Sequence, residues 1–474
     1  MSRTLLRDST IYGIGTLLTQ SLGFLLIPIY TRFLSVSDYG ALSLLNATLQ
    51  VVSFITVLGV SSAAMRFWFE PGAGESQQRA VYANATVLLL LFPALILLLL
   101  GPLIWFLYTR LVDSIAFYPL VLMVITIGLF SPFIKLITGF LRVQRRATAF
   151  VAFNLAFFLV QTGTVIAAVA WLNLGLRGQV AAQLLTNGLF AIVALIAISR
   201  FARPSFSGEL SQRMLAFGVP LVPFFIATWI NTSAGRFMLE ATGGLAQVGI
   251  LALAAQLAGV MQLAAVAFDN AMLPHFLSQA DKPGGARELG IVVNRYLGFL
   301  GMMALGIVAL ASPAIALVAS APYQEAARWV APMTVAAWLA VANQPVVWSL
   351  NHAKRTGLLS GVVGGSTVVL VLLLWLLLGP LDAGIAGVPI AMISANLVLL
   401  ASGWLLARRH LALQFQRGRL AGIVVTLLVC GAALDRLAQP QPEFATLAAQ
   451  FGLLAVAALV IAALTGLRLP RATR

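Results

Sequence analysis

The stretch NATVLLLLFPALILLLLGPLIWFL, residues 84–107, contains no charged side chain. A helix needs about 20 mostly apolar residues to cross the hydrocarbon core of a bilayer, so this stretch predicts a membrane-spanning helix. Thirteen further apolar runs, separated by charged residues or by Pro and Gly, lie at 10–31, 41–63, 115–134, 149–171, 178–199, 214–233, 246–268, 292–319, 329–350, 358–379, 385–406, 420–434 and 446–466. The sequence therefore predicts an all-α polytopic membrane protein with about fourteen transmembrane helices.

The composition of the chain agrees with this fold class. Of 474 residues, 61% are hydrophobic and 9% are charged, whereas an ordinary soluble domain has about 25% charged residues. The net charge of +15 would suggest nucleic acid in a soluble protein. In a membrane protein the same excess is typical of cytoplasmic loops, so we expect no nucleic-acid partner.

The distribution of basic residues predicts the orientation of the chain. If the N-terminus is cytoplasmic and the loops alternate, 23 of the 29 Lys and Arg residues fall on the inside. The six on the outside are Arg32, Arg110, Arg177, Arg236, Arg328 and Arg436. A missed or spurious helix would scramble the alternation after it, so the bias supports fourteen helices with both termini in the cytoplasm. The first segment has no Ala-x-Ala-type cleavage site at its end and is interpreted as a retained helix.

The loops and reactive side chains argue against an enzyme or a metal site. The largest polar stretches, around Glu70–Arg79 and Leu277–Leu289, are short, so no loop can form an extramembrane catalytic domain. The single cysteine, Cys430, excludes an intramolecular disulfide and a CxxC metal pair. The three histidines are far apart in sequence. We therefore expect no catalytic residues, no metal ligands and no cofactor.

A short internal repeat divides the chain. Residues 30–34, YTRFL, precede DYGALSL at 38–44, and residues 235–239, GRFML, precede QVGILAL at 247–253. Six predicted helices separate the copies, and an even number means that both cross the membrane in the same direction. This indicates two parallel, pseudo-symmetric six-helix lobes, an arrangement known in transporters. The predicted divisions are residues 1–206, residues 207–412 and a C-terminal helix pair in residues 413–474.

Several of these residues resemble the polysaccharide-export flippases of bacteria. The resemblance rests on IPIYTRFLS at 27–35, DYG at 38–40, GVSSAAMRF at 59–67, and RFML at 236–239 with Val248-Gly249. These O-antigen and exopolysaccharide lipid-carrier flippases belong to the multidrug/oligosaccharidyl-lipid/polysaccharide exporter superfamily. The family often has an acidic residue before the second-half arginine, where this chain has Gly235.

The resemblance implies a function in the bacterial inner membrane. It implies flipping of an undecaprenyl-diphosphate-linked oligosaccharide to the periplasmic leaflet, by alternating access of a cavity between two lobes, for O-antigen or exopolysaccharide assembly. Membrane lipid, a glycan polymerase and a chain-length regulator are the other partners it implies. Two alternatives stay open: a peptidoglycan-precursor flippase, which also has fourteen helices, and a drug/cation antiporter of the same superfamily.

Basic residues are the first candidates for binding a diphosphate. A guanidinium is a forked, permanently charged donor that matches phosphate oxygens, and Arg32 and Arg236 stand at equivalent places in the repeat. Snorkelling to the outer interface explains them equally well. Arg66, Lys135 and Arg142 border the predicted cytoplasmic ends of helices and could attract the diphosphate, although positive-inside anchoring also accounts for them.

Acidic and amide side chains supply the remaining candidates. Asp269 is the acid most nearly inside a predicted span, where it ends the eighth segment, and is a candidate ion-coupling site or hydrated helix end. Asp38 and Glu240, which follow the two Arg-Phe pairs, are candidate gate partners or solvated loop acids. The amides ranked highest for sugar binding are Gln20, Asn46, Asn231 and Gln256, although such side chains also hydrogen-bond between helices.

Overall fold

The computed structural model describes residues 24–71, 74–112, 114–280, 282–353, 355–408, 417–437 and 444–465. Within them the chain divides after Ala246 into two compact units. The first holds helices α1 Ile27–Phe33, α2 Val36–Val57, α3 Val60–Trp68, α4 Glu75–Leu111, α5 Phe117–Val143, α6 Ala147–Trp171, α7 Gly175–Phe201, α8 Gly208–Gly218 and the first part of α9 Val222–Ala258. The second holds the rest of α9, α10 Val260–Gln279, α11 Gly285–Val318, α12 Ala326–Ala342, α13 Gln344–His352, α14 Thr356–Leu378, α15 Gly387–Ala407, α16 Arg417–Arg436 and α17 Phe444–Thr465.

The helices of the described residues agree with the predicted membrane segments. Eleven stretches are long and apolar enough to cross a membrane, and one of them, Gly208–Val266, contains two of the predicted segments. The shorter apolar helix Gly418–Leu434 matches the thirteenth. Most of the first segment, 10–31, lies outside the described residues. The expectation of an all-α polytopic fold with about fourteen membrane segments is confirmed.

The first unit extends beyond the predicted lobe boundary at residue 206. The chain from Ser207 onwards packs against α2 and α4: Trp229 donates its indole N–H to the backbone oxygen of Ala47 at 2.8 Å, and the Ser207 amide donates to Asn84 Oδ1 at 2.8 Å. The phenyl rings of Phe54 and Phe225 stack with centroids 5.2 Å apart. The division into lobes at residues 206 and 412 follows the sequence repeat and stays a prediction.

The structure differs from two of the predicted helices, one of which is broken and one of which continues past its predicted end. The run at 41–63 forms α2 and α3, separated by Leu58 and Gly59, which both have left-handed backbone angles. The seventh segment does not end at residue 233, because no helix-breaking residue follows until α9 bends at Gly244, with φ 76°. This bend lies five residues before Gly249, and the break at Ser35 lies five residues before Gly40. The glycines of the repeat therefore keep a fixed distance from the break in each half.

Each unit has its own apolar core. In the first, Tyr82, Phe140 and Ile198 are buried among α3, α4, α5 and α7. In the second, Tyr296 is fully buried and contacts the rings of Phe268 and Trp348. The C-terminal pair α16 and α17 packs on α11, where the Cβ-free surfaces of Gly298 and Gly301 accommodate side chains of both helices.

Candidate functional site

Lys135 lies within a membrane-spanning helix. The predicted segment ends at residue 134, but α5 continues to Val143, roughly 12 Å further at 1.5 Å per residue, because no residue after Lys135 breaks the helix. The Lys135 ammonium lies 5.7 Å from the ring centroid of Phe54. Among the described residues, neither ion pair involves Lys135. An intramembrane cation of this kind is by default a functional candidate.

Arg66 and Arg142 lie in the last turns of α3 and α5. Both side chains are exposed, and their guanidinium carbons lie 4.7 Å from the Phe217 ring and 4.8 Å from the Phe150 ring. Lys135 and Arg142 are seven residues apart, which places them on the same face of α5. The three basic residues predicted for this part of the first unit are thus packed on aromatic rings, which restricts their positions while the charges stay accessible.

Arg32 and Asp38 are neighbours in sequence, and no ion pair between them occurs among the described residues. Arg32 is exposed in the last turn of α1. The Asp38 carboxylate accepts the Ser35 hydroxyl proton at 2.7 Å, and the Asp38 amide donates to Ser35 Oγ at 3.1 Å. This capping box begins α2. The observed role of Asp38 is therefore helix capping, and its predicted role as a gate stays a prediction.

Arg236 lies deeper in its helix than Arg32. The bend of α9 at Gly244 comes eight residues after Arg236, whereas α1 ends at Phe33. The two arginines are therefore not at equivalent depths, because the five extra residues of the second half extend the helix. Arg236 is half-buried and interacts electrostatically with the buried Tyr39 of α2. Sequence reasoning did not single out Tyr39 as a candidate, although this residue belongs to the DYG motif.

Glu240 is a buried acid one helical turn after Arg236. Its side chain is only 7% exposed, so it is not a solvated loop residue. One carboxylate oxygen accepts a hydrogen bond from Ser114 Oγ, and the other, Oε2, has no hydrogen-bond partner among the residues that the structure describes. Tyr108 is close enough to interact with it electrostatically. The sequence offers no signal for Ser114, which the fold brings to Glu240 from 126 residues away.

The acidic candidate of the second unit is Asp269. It does not end its helix as predicted, because α10 continues to Gln279 without a break. Its Oδ2 accepts a hydrogen bond from Gln344 Nε2 at 2.5 Å, whereas Oδ1 has no partner among the described residues. Gln344 is not among the amides selected as candidates from the sequence.

The four amides differ in their surroundings. Asn46 Oδ1 accepts from Gln183 Nε2 at 3.5 Å, which joins α2 to α7. Asn231 donates to the Ala227 backbone oxygen one turn earlier in α9. Gln256 is half-buried in the second unit, and Gln20 lies outside the described residues. The roles of these amides in sugar binding stay predictions.

The family of the chain follows from its sequence. The family model described as polysaccharide biosynthesis protein matches residues 5–279. The chain belongs to this family. The predicted resemblance to polysaccharide-export proteins is thereby confirmed. In the part of the chain that the structure describes, no group of three or more His, Cys, Asp or Glu residues could hold a metal ion.

Relatives of this family member share parts of its sequence and its fold. A protein of the Lsg locus of Haemophilus influenzae is 25% identical over 282 residues, which are 57% of this chain and 65% of that relative. The lipid II flippase MurJ in an inward closed conformation superposes with a TM-score of 0.71 at 14% identity, covering 96% of this chain and 98% of MurJ. An inward-facing multidrug transporter of the MATE family gives 0.64 at 15% identity, with coverage of 86% and 96%. The family member therefore has the fold of the transporters of this superfamily.

Proposed function

We propose that this protein flips an undecaprenyl-diphosphate-linked oligosaccharide from the cytoplasmic to the periplasmic leaflet of the bacterial inner membrane. The proposal extends the polysaccharide biosynthesis family to O-antigen or exopolysaccharide assembly. The observation that supports it most is a pair of intramembrane cations in the first unit, Lys135 and Arg236, neither of which forms an ion pair within the described residues. Positive charge inside a membrane protein that takes part in no ion pair of the described residues favours an anionic substrate.

In this proposal each kind of candidate has a separate task. The exposed Arg66 and Arg142 attract the diphosphate at the predicted cytoplasmic end, Lys135 binds it inside the span, and Arg236 binds it nearer the predicted outer end. Arg32 is exposed where the substrate leaves. Amides such as Asn46 and Asn231 offer hydrogen bonds to sugar hydroxyls. Alternating access carries the substrate past these groups in turn, and a glycan polymerase and chain-length regulator act on the released product.

Glu240 supports a second candidate function, a drug/cation antiporter. A buried carboxylate with one oxygen that lacks a partner within the described part of the chain is the type of group that binds a proton or a cation. In the flippase proposal, Glu240 and Asp269 instead couple transport to an ion or stabilise one conformation. The similarity to the lipid II flippase MurJ motivates the third possibility, transport of a peptidoglycan precursor.

A deletion strain separates these functions. We expect deletion to remove surface polysaccharide and to increase the pool of undecaprenyl-diphosphate oligosaccharide facing the cytoplasm, with recovery when the wild-type gene is supplied. Extraction and mass spectrometry of lipid-linked glycans measure that pool. An unchanged pool with altered drug sensitivity would establish the antiporter, and accumulation of a lipid-linked peptidoglycan precursor would establish the third function.

A further inference from the structure

The first unit contains a basic pocket where the beginning of α4 meets the end of α7. Its volume is about 570 Å³, and three arginines, Arg79, Arg200 and Arg203, line it. Ser199, Ser205 and Phe201 are also part of the lining. None of these residues belongs to the candidate transport site. The pocket therefore needs a separate explanation.

The charges of the pocket are positive in excess. Arg79 forms an ion pair with Glu75 at 2.5 Å, and its guanidinium carbon lies 5.6 Å from the Phe201 ring centroid, so Arg79 has a defined position. Arg200 and Arg203 are exposed, and neither ion pair of the described residues includes them. Two guanidinium groups with no carboxylate partner in the described ranges, next to a third on an aromatic ring, offer several N–H donors to one anion. Phosphate oxygens match such donors in charge and geometry.

The surface of α7 that leads to the pocket is apolar and exposed. Leu185, Leu189, Ile192 and Ile196 are 64%, 47%, 56% and 48% exposed. With Arg200 they repeat every three or four residues, so they form one face of α7 that ends at the pocket. In a membrane-spanning helix such a face contacts lipid chains. The charge distribution of the whole chain places this end of α7 on the cytoplasmic side. Apolar side chains along the helix and cations at its end match the chemistry of one anionic lipid molecule.

We propose that this pocket binds the phosphate group of an anionic lipid of the cytoplasmic leaflet, with the acyl chains along the exposed face of α7. Basic pockets between membrane helices on the cytoplasmic side are suited to such headgroups. Free inorganic phosphate could bind the same arginines, but it has no acyl chains to contact the apolar face of α7. The site does not depend on the flippase proposal, because none of the residues that line it is assigned to transport.

Lipid retention by the purified full-length protein tests the proposal. The wild type, R200Q/R203Q and the charge-matched control R145Q/R146Q are each titrated with phosphatidylglycerol or phosphatidylcholine in detergent, and bound lipid is counted by native mass spectrometry. Arg145 and Arg146 are exposed in the connection after α5 and do not line the pocket. At roughly 1 kcal/mol per basic residue, the loss of two arginines weakens phosphatidylglycerol binding roughly thirtyfold. Phosphatidylcholine binding should not change in either variant.

The other arms of the experiment decide between sources of the phosphate group and guard against misfolding. R200K/R203K keeps both charges and should keep most of the phosphatidylglycerol affinity. All variants should elute from size exclusion as the wild type does. Equal weakening in R145Q/R146Q would overturn the proposal, because the effect would then be general surface charge. Displacement of bound phosphatidylglycerol by an equal concentration of sodium phosphate would overturn the lipid assignment in favour of a free anion.

Discussion

At the scale of single residues, Lys135 and Arg236 differ from the other basic residues of the first unit. Both lie inside helices that cross the membrane, at positions roughly two turns from the nearest helix end or bend. Arg213, by comparison, forms an ion pair with Glu70 at 2.5 Å. A cation inside a bilayer is costly unless another charge or water stabilises it, so we expect these two side chains to contact a substrate anion.

Replacing Arg236 with alanine should abolish most export of polysaccharide without loss of protein from the membrane. Loss of one charge-assisted contact of about 1.5–3 kcal/mol corresponds to a reduction of roughly tenfold to a hundredfold. Arg32→Ala should have a smaller effect, since Arg32 is exposed. Surface polysaccharide, normalised to the amount of protein, is the measurement. Arg177→Ala removes another exposed arginine of the predicted outer side and serves as the control. Normal export in both single variants and the double variant would contradict the assignment.

Changing Lys135 tests the charge requirement within the span. Lys135→Gln should reduce export at least tenfold because it removes the cation near Phe54, Lys135→Arg should restore it in large part, and Lys135→Glu should be the most defective. The control is Arg145→Gln, which removes an exposed basic residue beyond the end of α5. A Lys135→Gln variant that exports as well as Arg145→Gln would show that Lys135 does not contact the substrate.

At the scale of helices, the break between α2 and α3 is the most constrained element. Leu58 has φ 44°, a left-handed angle that costs a non-glycine residue about 1–2 kcal/mol. The break allows the backbone of Gly59 to contact that of Gly218 in α8, because a Cβ on Gly59 would lie 2.5 Å from Gly218 Cα. This direct backbone contact between the α2–α3 break and the end of α8 leaves no room for a Cβ at either glycine.

Gly218→Ala should destabilise this contact. A Cβ at residue 218 would lie 2.1 Å from the Leu58 backbone oxygen, and a backbone atom cannot move aside as a flexible side chain can. We expect a loss of about 1–3 kcal/mol and a lower melting temperature in detergent. Gly208→Ala is the matched control, because nothing lies within 4 Å of a Cβ there. Equal melting temperatures of the two variants would contradict this prediction, because they would mean that α8 can move away from the α2–α3 break without loss of stability.

At the scale of the whole molecule, the distribution of 29 basic residues predicts the orientation in the membrane. In a Cys430→Ser background, Ser205→Cys should be shielded from a membrane-impermeant maleimide in intact cells, and Leu172→Cys should react. Both positions are exposed at opposite ends of α7. Labelling after permeabilisation shows that both thiols are reactive. The reverse pattern would show that the chain is inserted the other way, and would also place the basic pocket in the outer leaflet.

The fold class could be predicted because the bilayer imposes a simple rule. A run such as 84–107 must be helical, since every backbone polar group in hydrocarbon needs an internal partner. Helix ends were less predictable. Charge is a poor end signal at Lys135 and Arg236, where long side chains with aromatic neighbours occur within helices, whereas the left-handed angle of Gly244 bends α9 and the capping box at Ser35 begins α2.

The sequence by itself determined the membrane helices, their predicted orientation, the repeat and the basic residues that could bind a diphosphate, because each depends on composition or spacing along the chain. Only the tertiary structure decided that Ser114 donates to Glu240, that Gln344 donates to Asp269, and that Arg79, Arg200 and Arg203 line one pocket. These groups come from separate parts of the chain, and their proximity depends on how the helices pack, which hydropathy and charge along one chain do not encode.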